Sequence, residues 1–577
     1  MRSNYFTRTA LALLLAVLLV GCQDLNVRQP DGETSLAAAA LVRRDLATGA
    51  TLNGANGMYF GPDGNLYVAV FARGEIVALN PRNGKIVARY GRDQGVLAPD
   101  DLTFGPDGSM YWTDIIVGEV GRLAPDGTLT KQFVAPGVNP ITFNEEGRLF
   151  VALDFLGDGL YELDPELIDP PRPIIEATPE IPYPLGFFNG FDFGADGRLY
   201  GPLFAAGMVI SVDVGEFGDP PSLDPWTDGT IQVVATGFGV PAAVKFDPSD
   251  RLHVVDQTGE VFRVDVATGA KTRIATLQPG LDNLAFDGRG NLFVSNAYFG
   301  WVAQIVGNGQ ARNLTRGGMI LPQGVAVLPG PQGRDRVFVA DLFRLREFDG
   351  RSGKELAVVE GSILTGPGKL TPPMTVAADG DHLVVSSLFG STVQVWDPSS
   401  ETVLEDYPMP APVNAIRFQD DLVVADLGLG GIVWASDMTM ILASGSESGV
   451  FVPAGLATDG ERLWVGDWAT GIVWQLEFDG TDVTSTVPVA FDLAQPEGLA
   501  LDVDGSLLVV ETGLRRLSRV DTATGAVSVV TTGLDVGLPT LEGFPPTWWF
   551  DGVAVGPSGA IYVSENGRNV LTRIWPR

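Results

Sequence analysis

One short pattern recurs along the whole chain, and it constrains the fold more than any other feature of the sequence. Each copy has an apolar strand, an Asp/Gly turn, a second strand of Leu-aromatic-Val type and then an acidic residue or Asn. Twelve copies are present, with their turns at residues 64, 108, 147, 197, 250, 290, 335, 381, 420, 461, 505 and 559. Successive turns lie 39 to 54 residues apart, which is the length of a four-stranded propeller blade.

The number of copies predicts how the blades are grouped. A single ring of twelve would leave a wide, poorly filled channel, whereas closed smaller rings leave no long exposed sheet edges. The sequence therefore predicts an all-β chain with two tandem six-bladed β-propellers, residues 41–316 and 317–577; rings of seven and five blades are the weaker partition. Because the last copy lacks a fourth strand, we expect residues 311–315 to complete it and residues 40–46 to complete the sixth blade.

The N-terminus has the pattern of an export signal. Arg2 and Arg8 precede an apolar run that is too short to span a bilayer and that ends at Gly21-Cys22. Residues 19–22 resemble a bacterial lipobox, in which cleavage leaves the cysteine at the N-terminus for lipid attachment, and Cys22 is the one cysteine of the chain. We expect a lipoprotein signal peptide at residues 1–21, a tether at 22–40 and a lipid-anchored protein of the cell envelope, at the outer membrane or the periplasmic face in a Gram-negative cell.

Composition excludes several kinds of site and partner. The net charge of −32 argues against nucleic acid as a partner, since binding a phosphate backbone relies on Lys and Arg. One cysteine allows no disulfide within the chain and no cysteine-rich zinc site, and two histidines are too few for a multi-histidine metal centre. His253 occupies the aromatic position of its copy and is expected to be packed, and no Ser-His-Asp triad is recognisable.

Several stretches are similar to known propellers. Residues 189–194 (NGFDFG), 239–246 (GVPAAVKF) and 496–500 (PEGLA) resemble the NHL and senescence-marker-protein/gluconolactonase group of six-bladed propellers, within the calcium-dependent phosphotriesterase superfamily. The resemblance covers nearly all of residues 41–577. It implies the propeller fold, while the group includes lactonases, organophosphate hydrolases, strictosidine-synthase-like proteins and binders without catalysis.

The resemblance also implies a place for a metal ion. In the hydrolytic members, Glu, Asn and Asp side chains at the entrance of the innermost strands hold a divalent cation in the central channel. We call the matching position, just before the small residue of strand one, the slot of each blade. In the first ring the slots hold Asn56, Asp100, Asn139, Asn189, Ala242 and Asp282, and in the second Gln323, Met374, Asn414, Ala454, Glu497 and Asp551.

The first ring is the better candidate for a cation, because five of its six slots are Asn or Asp and oxygen ligands suit calcium. Gln323, Asn414, Glu497 and Asp551 are the candidates of the second ring. Two slots depart from the family: Asn56 stands where a Glu is expected, and Ala242 where an Asp is expected. The alternative interpretation is that Asn and Asp only shape the turns that enter strand one.

Other polar and aromatic residues are open to two interpretations. Acids recur after strand two, and recurrence in so many blades favours a structural role for them over catalysis. They are Asp114, Asp154, Asp256, Asp341, Asp426, Asp467, Glu511 and Glu565. Insertions at residues 165–187, 215–230 and 533–550 lengthen three copies, and aromatic residues end the first and third. Those aromatics would overhang a channel mouth or only pack against the fold.

Two hypotheses of function follow. The first is an exported hydrolase of the lactonase or esterase kind, in which calcium polarises a carbonyl and Asp100 or Asp282 assists proton transfer. The second is a non-catalytic propeller that binds a protein, a glycan or a small molecule at the cell envelope.

Overall fold

Each strand of the computed structural model belongs to a four-stranded antiparallel sheet, and twelve such sheets are formed by the described residues, 41–361, 368–542 and 544–576. We number these sheets as blades 1–12 in chain order, and the strands of a blade one to four from the channel outward. The predicted all-β fold of two six-bladed propellers is confirmed. The predicted signal peptide, Cys22 and the whole tether lie outside the described residues.

The first propeller comprises Ala50–Ile320 and holds blades 1–6. Their strands, in the order one to four, are Met58–Phe60, Leu66–Val70, Glu75–Leu79 and Ile86–Tyr90 in blade 1; Pro99–Phe104, Met110–Asp114, Glu119–Leu123 and Leu129–Phe133 in blade 2; Val138–Phe143, Leu149–Leu153, Gly159–Leu163 and Arg172–Glu176 in blade 3; Asp192–Phe193, Leu199–Leu203, Met208–Val212 and Ile231–Thr236 in blade 4; Pro241–Phe246, Leu252–Asp256, Glu260–Val264 and Lys271–Thr276 in blade 5; and Leu281–Phe286, Leu292–Asn296, Trp301–Val306 and Gln310–Asn313 in blade 6.

The second propeller comprises residues 41–49 and 321–576 and holds blades 7–12. Its strands are Pro322–Pro329, Asp335–Asp341, Arg344–Asp349 and Glu355–Glu360 in blade 7; Thr375–Asp379, His382–Ser387, Thr392–Asp397 and Thr402–Pro408 in blade 8; Pro412–Phe418, Asp421–Asp426, Gly431–Trp434 and Met440–Ala443 in blade 9; Pro453–Thr458, Leu463–Asp467, Ile472–Asp479 and Asp482–Ala490 in blade 10; Pro496–Leu501, Leu507–Glu511, Arg516–Val520 and Val527–Thr532 in blade 11; and Val553–Val555, Ile561–Glu565, Val570–Pro576 and Leu41–Thr48 in blade 12.

Within the described ranges, short 3-10 helices connect some of the strands. They are Phe71–Arg73, Arg92–Gln94, Phe204–Ala206, Gly307–Gly309 and Pro331–Gly333. In the described part of the chain, no helix has the length and apolar character needed to cross a membrane.

Side-chain alternation explains which strands are buried. Strand two of each blade lies between neighbouring blades, and all five residues of Leu149–Leu153 are buried. Strand four lies at the rim, where residues of Thr402–Pro408 alternate between exposed and half-buried. Each fully buried Val or Leu contributes about 1.5–3 kcal/mol, so the apolar clusters between blades supply the main stabilisation.

Close approach of the innermost strands explains why glycine or alanine follows most of the slots. A Cβ on Gly57 would lie 2.5 Å from the Cα of Asp101 in the next blade. A Cβ on Gly498 would lie 2.5 Å from the carbonyl oxygen of Asp551. Larger side chains at these two positions would push adjacent blades apart at the channel.

Each ring closes through contacts between its first and last blades. In the first propeller the Ser295 hydroxyl donates to the carbonyl oxygen of Asn56 at 2.7 Å. In the second, the Tyr562 hydroxyl donates to Asp335 Oδ2 at 2.8 Å. The slots of each propeller therefore surround one channel.

The predicted exchange of strands between the rings is wrong. Leu41–Thr48 pairs antiparallel with Val570–Pro576 and completes blade 12, while Gln310–Asn313 follows its own strand three and completes blade 6. The physical reason is local: a turn of three residues joins strands three and four of blade 6, so pairing them closes a short loop at small entropic cost. The N-terminal strand thus belongs to the second propeller rather than to the first, and the two units divide between Ile320 and Leu321.

The closing strand leads to a first prediction. A chain that starts at residue 50 lacks Leu41–Thr48, which exposes the edge of Val570–Pro576 and removes the ion pair between Arg43 and Glu565 at 2.9 Å. We expect amides of Val570–Pro576 to exchange hydrogen at least about tenfold faster, measured by mass spectrometry, because local opening becomes easier. A chain that starts at residue 41 is the control, and equal exchange in the two chains would contradict the role of this strand.

Candidate functional site

The structure brings the polar slots of the first propeller together. Asn56 Nδ2 donates to Asp100 Oδ1 at 2.8 Å, which links blades 1 and 2. Asn139 Nδ2 donates to Asn189 Oδ1 at 3.1 Å, which links blades 3 and 4. Asp282 of blade 6 lies close enough to Asp100 for their charges to interact. Five slots from five blades therefore form one polar cluster at the channel.

Asp154 belongs to the same cluster, although the sequence grouped it with the structural acids. Its Oδ2 accepts from Asn139 Nδ2 at 3.3 Å, and its Oδ1 accepts from the N–H of Phe155 at 2.8 Å. The segment that enters strand one of blade 3 donates no hydrogen bond to it among the described contacts. Asp158, four residues later, accepts from the N–H of Gly186, in the segment that leads towards strand one of the next blade, blade 4. Blade 3 thus has two acids after strand two, in the stretch DFLGDG, where most copies have one. This difference is the sequence signal that could have distinguished Asp154 from the other recurrent acids.

The other recurrent acids have the structural role that was predicted for them. Asp114 Oδ1 accepts from the N–H of Leu97 at 2.9 Å and of Ala98 at 2.7 Å, just before strand one of its own blade. Equivalent bonds to the segment leading towards strand one are made by Asp256, Asp341, Asp426, Asp467, Glu511 and Glu565. These acids fix the position of the slots without lining the site.

The carboxylates of the cluster are buried and lack a basic partner. Burial and the charge of Asp101 together raise the pKa of Asp100 to about 7, although hydrogen bonds from Asn56 and Asn139 lower it in part. Burial and the charge of Asp100 raise the pKa of Asp154 to about 8. The pKa of Asp282 is raised well above its usual value by burial and by the neighbouring Asp100, Asp101 and Asp154. Within the described residues, no Lys or Arg donates a hydrogen bond to Asp100, Asp154 or Asp282. Without a compensating charge, burial therefore favours the protonated form of each of these carboxyl groups.

Asp192 and Lys245 form a second tier of charged groups, three residues beyond the slots of blades 4 and 5 along strand one. Lys245 Nζ donates to the carbonyl oxygen of Phe191 at 2.9 Å. Burial raises the pKa of Asp101 and of Asp192, and the charge of Lys245 lowers both pKa values in part. Sequence reasoning missed this tier because it considered only the slots. The charge of Lys245 thus reaches Asp101, the residue after the slot of blade 2.

Aromatic side chains lie beside the cluster at the slot of blade 5. Phe155, which follows Asp154, stacks on Phe187 with ring centroids 5.3 Å apart, and Phe204 contacts Phe155 at 5.9 Å. Phe155 has φ 56° and Phe187 has φ 71°, a left-handed conformation that costs a bulky residue about 1 kcal/mol or more. Phe187 and Phe204 pack with Ala242, the slot without a polar group. The site thus has one apolar side.

The second propeller brings together three of its four predicted residues. The N–H of Asp551 donates to Glu497 Oε2 at 2.9 Å, and the N–H of Phe550 donates to Gln323 Oε1 at 3.1 Å. Asn414 is separate, since its Nδ2 donates to the carbonyl oxygen of Ala454 at 3.2 Å. Burial and the charge of Asp551 raise the pKa of Glu497 well above its usual value.

Asp551 also anchors its surroundings, and burial raises its pKa to about 8. Its Oδ2 accepts from the N–H of Gly537 at 2.7 Å and from Asn566 Nδ2 at 3.0 Å. Hydrogen bonds from two other segments therefore hold this carboxylate in place.

The carboxylates of the first channel are too few to hold a cation such as calcium by themselves, so amide oxygens would have to contribute as ligands. Among the described residues, no three His, Cys, Asp or Glu side chains are grouped so as to hold a metal ion by themselves. Asn189 already turns its Oδ1 towards Asn139, and rotation of the Asn56 and Asn139 carboxamides by 180° would turn oxygen instead of nitrogen towards their neighbours in the cluster. Oxygen atoms of amides and carboxylates are the ligands that calcium takes, six to eight at a time.

Comparisons with known proteins find structural likenesses of low similarity. No protein-family model matches the sequence, and no curated protein matches it. Among solved structures, an inactive variant of virginiamycin B lyase from Staphylococcus aureus, solved with quinupristin, is 13% identical over 60% of this chain and 96% of its own, with a TM-score of 0.35. A protein described as a candidate gluconolactonase is 14% identical over 48% and 94%, with a TM-score of 0.36.

A third solved structure spans more of the chain. The extracellular domain of a protein described as a candidate one-component system from B. thetaiotaomicron is 11% identical over 92% of this chain and 82% of its own, with a TM-score of 0.31. Likenesses of this size carry no argument about ligands or chemistry. The function is therefore argued from the site itself.

The raised pKa of Asp154 leads to a second prediction. The folded chain keeps this proton up to a pH of about 8, whereas the unfolded chain loses it near pH 4, so metal-free stability falls as pH rises through this window. Asp154→Asn removes the titration, so its stability relative to the wild type should rise with pH by up to about 1.4 kcal/mol per unit. Urea unfolding in chelator at pH 5, 7 and 9 measures this. Asp93→Asn, on the exposed surface, is the control, and a pH-independent difference for Asp154→Asn would contradict the assignment.

Proposed function

We propose that the first propeller binds a divalent cation, most suitably calcium, and hydrolyses esters or lactones with it. The observation that carries this proposal is the cluster of six oxygen-bearing side chains from five blades, whose carboxylates are buried without a basic partner. A bound cation would offset the electrostatic cost of ionising Asp100, Asp154 and Asp282.

Each residue of the cluster has a proposed task. Asn56, Asp100, Asn139, Asn189 and Asp282 would hold the cation, and Asp154 would join them. When bound, the cation polarises a carbonyl group of the substrate. Asp282, which accepts no hydrogen bond from the described side chains, would take the proton of the attacking water. A general base works best when its pKa is near the pH at which it acts, and burial raises the pKa of Asp282 from its usual value in that direction.

A third prediction tests cation binding and hydrolysis together. Because protons compete with a cation for the same carboxylates, calcium should bind at least about tenfold more tightly at pH 8.5 than at pH 6, measured by calorimetry. Asp100→Asn and Asp282→Asn should abolish this uptake. Asp282→Asn should also lower kcat/KM on a panel of lactones and aryl esters by about a hundredfold or more.

The controls separate the two rings and the two hypotheses. Asp93→Asn removes one surface charge and should change neither calcium affinity nor turnover. If Glu497→Gln abolishes calcium uptake while Asp282→Asn does not, the site belongs to the second propeller. Calcium uptake without turnover on any panel member would contradict the hydrolase.

A second candidate function is a propeller that binds a protein, a glycan or a small molecule without catalysis. The observation that favours it is the direct bonding of Asn56 to Asp100 and of Asn139 to Asn189, which satisfies part of the cluster without any cation. In this case the slots would be structural, and ligands would bind on the loop face.

We also propose that the protein is anchored to the cell envelope by lipid on Cys22, on the strength of the sequence pattern of residues 1–22. As a fourth prediction, cells that express the chain should incorporate a labelled fatty acid into it, and Cys22→Ser should abolish labelling because the acceptor sulfur is lost. The labelled protein should fractionate with membranes. Labelling of the Cys22→Ser chain, or of neither chain, would contradict the anchor.

A further inference from the structure

An insertion in blade 4 lies against the outermost strand of blade 3. Residues 213–230, here called the rim loop, join strands three and four of blade 4. The N–H of Ser222 donates to the carbonyl oxygen of Ile174, in strand four of blade 3, at 2.9 Å. Trp226 Nε1 donates to the carbonyl oxygen of Pro184 at 2.7 Å. The rim loop is therefore bonded at two points to the chain that precedes blade 4.

Three arginines outside the rim loop also donate to its carbonyl oxygens. These bonds join Arg148 to Gly215 at 2.9 Å, Arg172 to Asp219 at 3.0 Å and Arg198 to Thr230 at 3.0 Å. Glu162 forms ion pairs with Arg148 and with Arg172. A loop that is already fixed in this way loses little conformational entropy when a partner binds to it.

Large apolar side chains of the rim loop are exposed to solvent. Phe217 is 80% exposed, Leu223 52% and Trp226 43%. The guanidinium of Arg172 lies over the ring of Phe217, 5.5 Å from its centroid. Leu223 adjoins the residue that pairs with Ile175, about 10 Å from Arg172 along the same strand. Exposed apolar side chains grouped on an ordered loop are typical of an interaction surface.

A cavity of about 260 Å³ lies between the rim loop and strand four of blade 3. Arg172 and Ile174 line it from blade 3, and Asp213, Asp219 and Asp228 are among the rim-loop residues that line it. Since a water molecule takes up about 30 Å³ of liquid, the cavity has room for about eight waters or for one long side chain of a partner.

Charge selects the kind of partner. The rim loop contains no Lys or Arg and has five exposed acids, Asp213, Glu216, Asp219, Asp224 and Asp228. With Glu162, six carboxylates stand against the three guanidinium groups that hold the loop. A second copy of this chain carries −32 and would be repelled, as would anionic lipid headgroups. The surface therefore favours a basic partner.

We propose that the rim loop and the edge of blade 3 bind an extended, basic segment of another protein. An Arg side chain of that segment enters the cavity beside Asp213, Asp219 and Asp228, where a guanidinium can pair with carboxylates. Apolar side chains of the same segment cover Phe217 and Leu223. This surface is independent of the cation and the hydrolysis proposed for the first propeller.

A first experiment tests the chemistry of the partner with three labelled peptides of equal length. One alternates Arg with Leu, the second replaces every Arg with Glu, and the third replaces every Leu with Ser. The full chain, carrying Cys22→Ser so that no lipid is attached, should bind the Arg/Leu peptide at least about tenfold more tightly than either other peptide, measured by fluorescence anisotropy. Equal binding of the Arg/Leu and Arg/Ser peptides would show that charge alone acts, and would overturn the proposal.

Variants then locate the bound peptide. Phe217→Ser and Asp219→Asn should each weaken binding of the Arg/Leu peptide at least about fivefold, because each removes one of the two kinds of contact. Phe133→Ser, at a 62% exposed phenylalanine of blade 2, and Asp93→Asn are the matched controls and should leave the affinity unchanged. All four positions are exposed, and circular dichroism checks that the variants fold. Unchanged affinity in Phe217→Ser or in Asp219→Asn would overturn the assignment.

Other occupants of the surface give different results. Co-sedimentation with phosphatidylcholine vesicles and sedimentation velocity, both on the Cys22→Ser chain, should show no vesicle binding and no dimer that depends on Phe217. Vesicle binding that Phe217→Ser abolishes would assign the surface to a membrane, and a dimer that Phe217→Ser abolishes would assign it to a second copy. Either result would overturn the proposal.

Discussion

Contact between the innermost strands of neighbouring blades is the constraint on which both propellers depend. Each of these strands approaches the next so closely that Gly57 and Gly498 have no room for a Cβ. The approach brings the slot of every blade to a common channel and buries polar groups there. A buried, ionised carboxylate costs free energy when no opposite charge or hydrogen-bond donor lies beside it. The geometry that closes the ring therefore also places carboxyl groups where ionisation is unfavourable.

The two channels differ in the side chains that surround their buried carboxyl groups. In the first, Asp100, Asp154 and Asp282 are buried together with amides, and the charge of Lys245 acts on Asp101 and Asp192. In the second, Asp551 is held by Gly537 and Asn566, and the residues three positions beyond the slots are mostly alanine. One repeated fold thus surrounds its two channels with different side chains.

The blade-closing strand shows where sequence reasoning about repeats fails. Residues 41–48 have the pattern of a fourth strand, and the pattern is the same whichever blade they complete. The structure joins them to Val570–Pro576, where Arg43 reaches Glu565, a buried acid that also accepts from Thr572. Strand pairing across more than 500 residues leaves no local signal, so the partner could not be predicted from spacing.

The sequence by itself determined the number of blades, their grouping in sixes and the slots that face the channel, because turn spacing and side-chain alternation are local properties. It also identified the structural role of Asp114 and its counterparts through their recurrence. Only the tertiary structure showed that Asp154 departs from that role and that Lys245 and Asp192 form a second tier. These features arise from side chains that are distant in sequence and meet only when the ring closes.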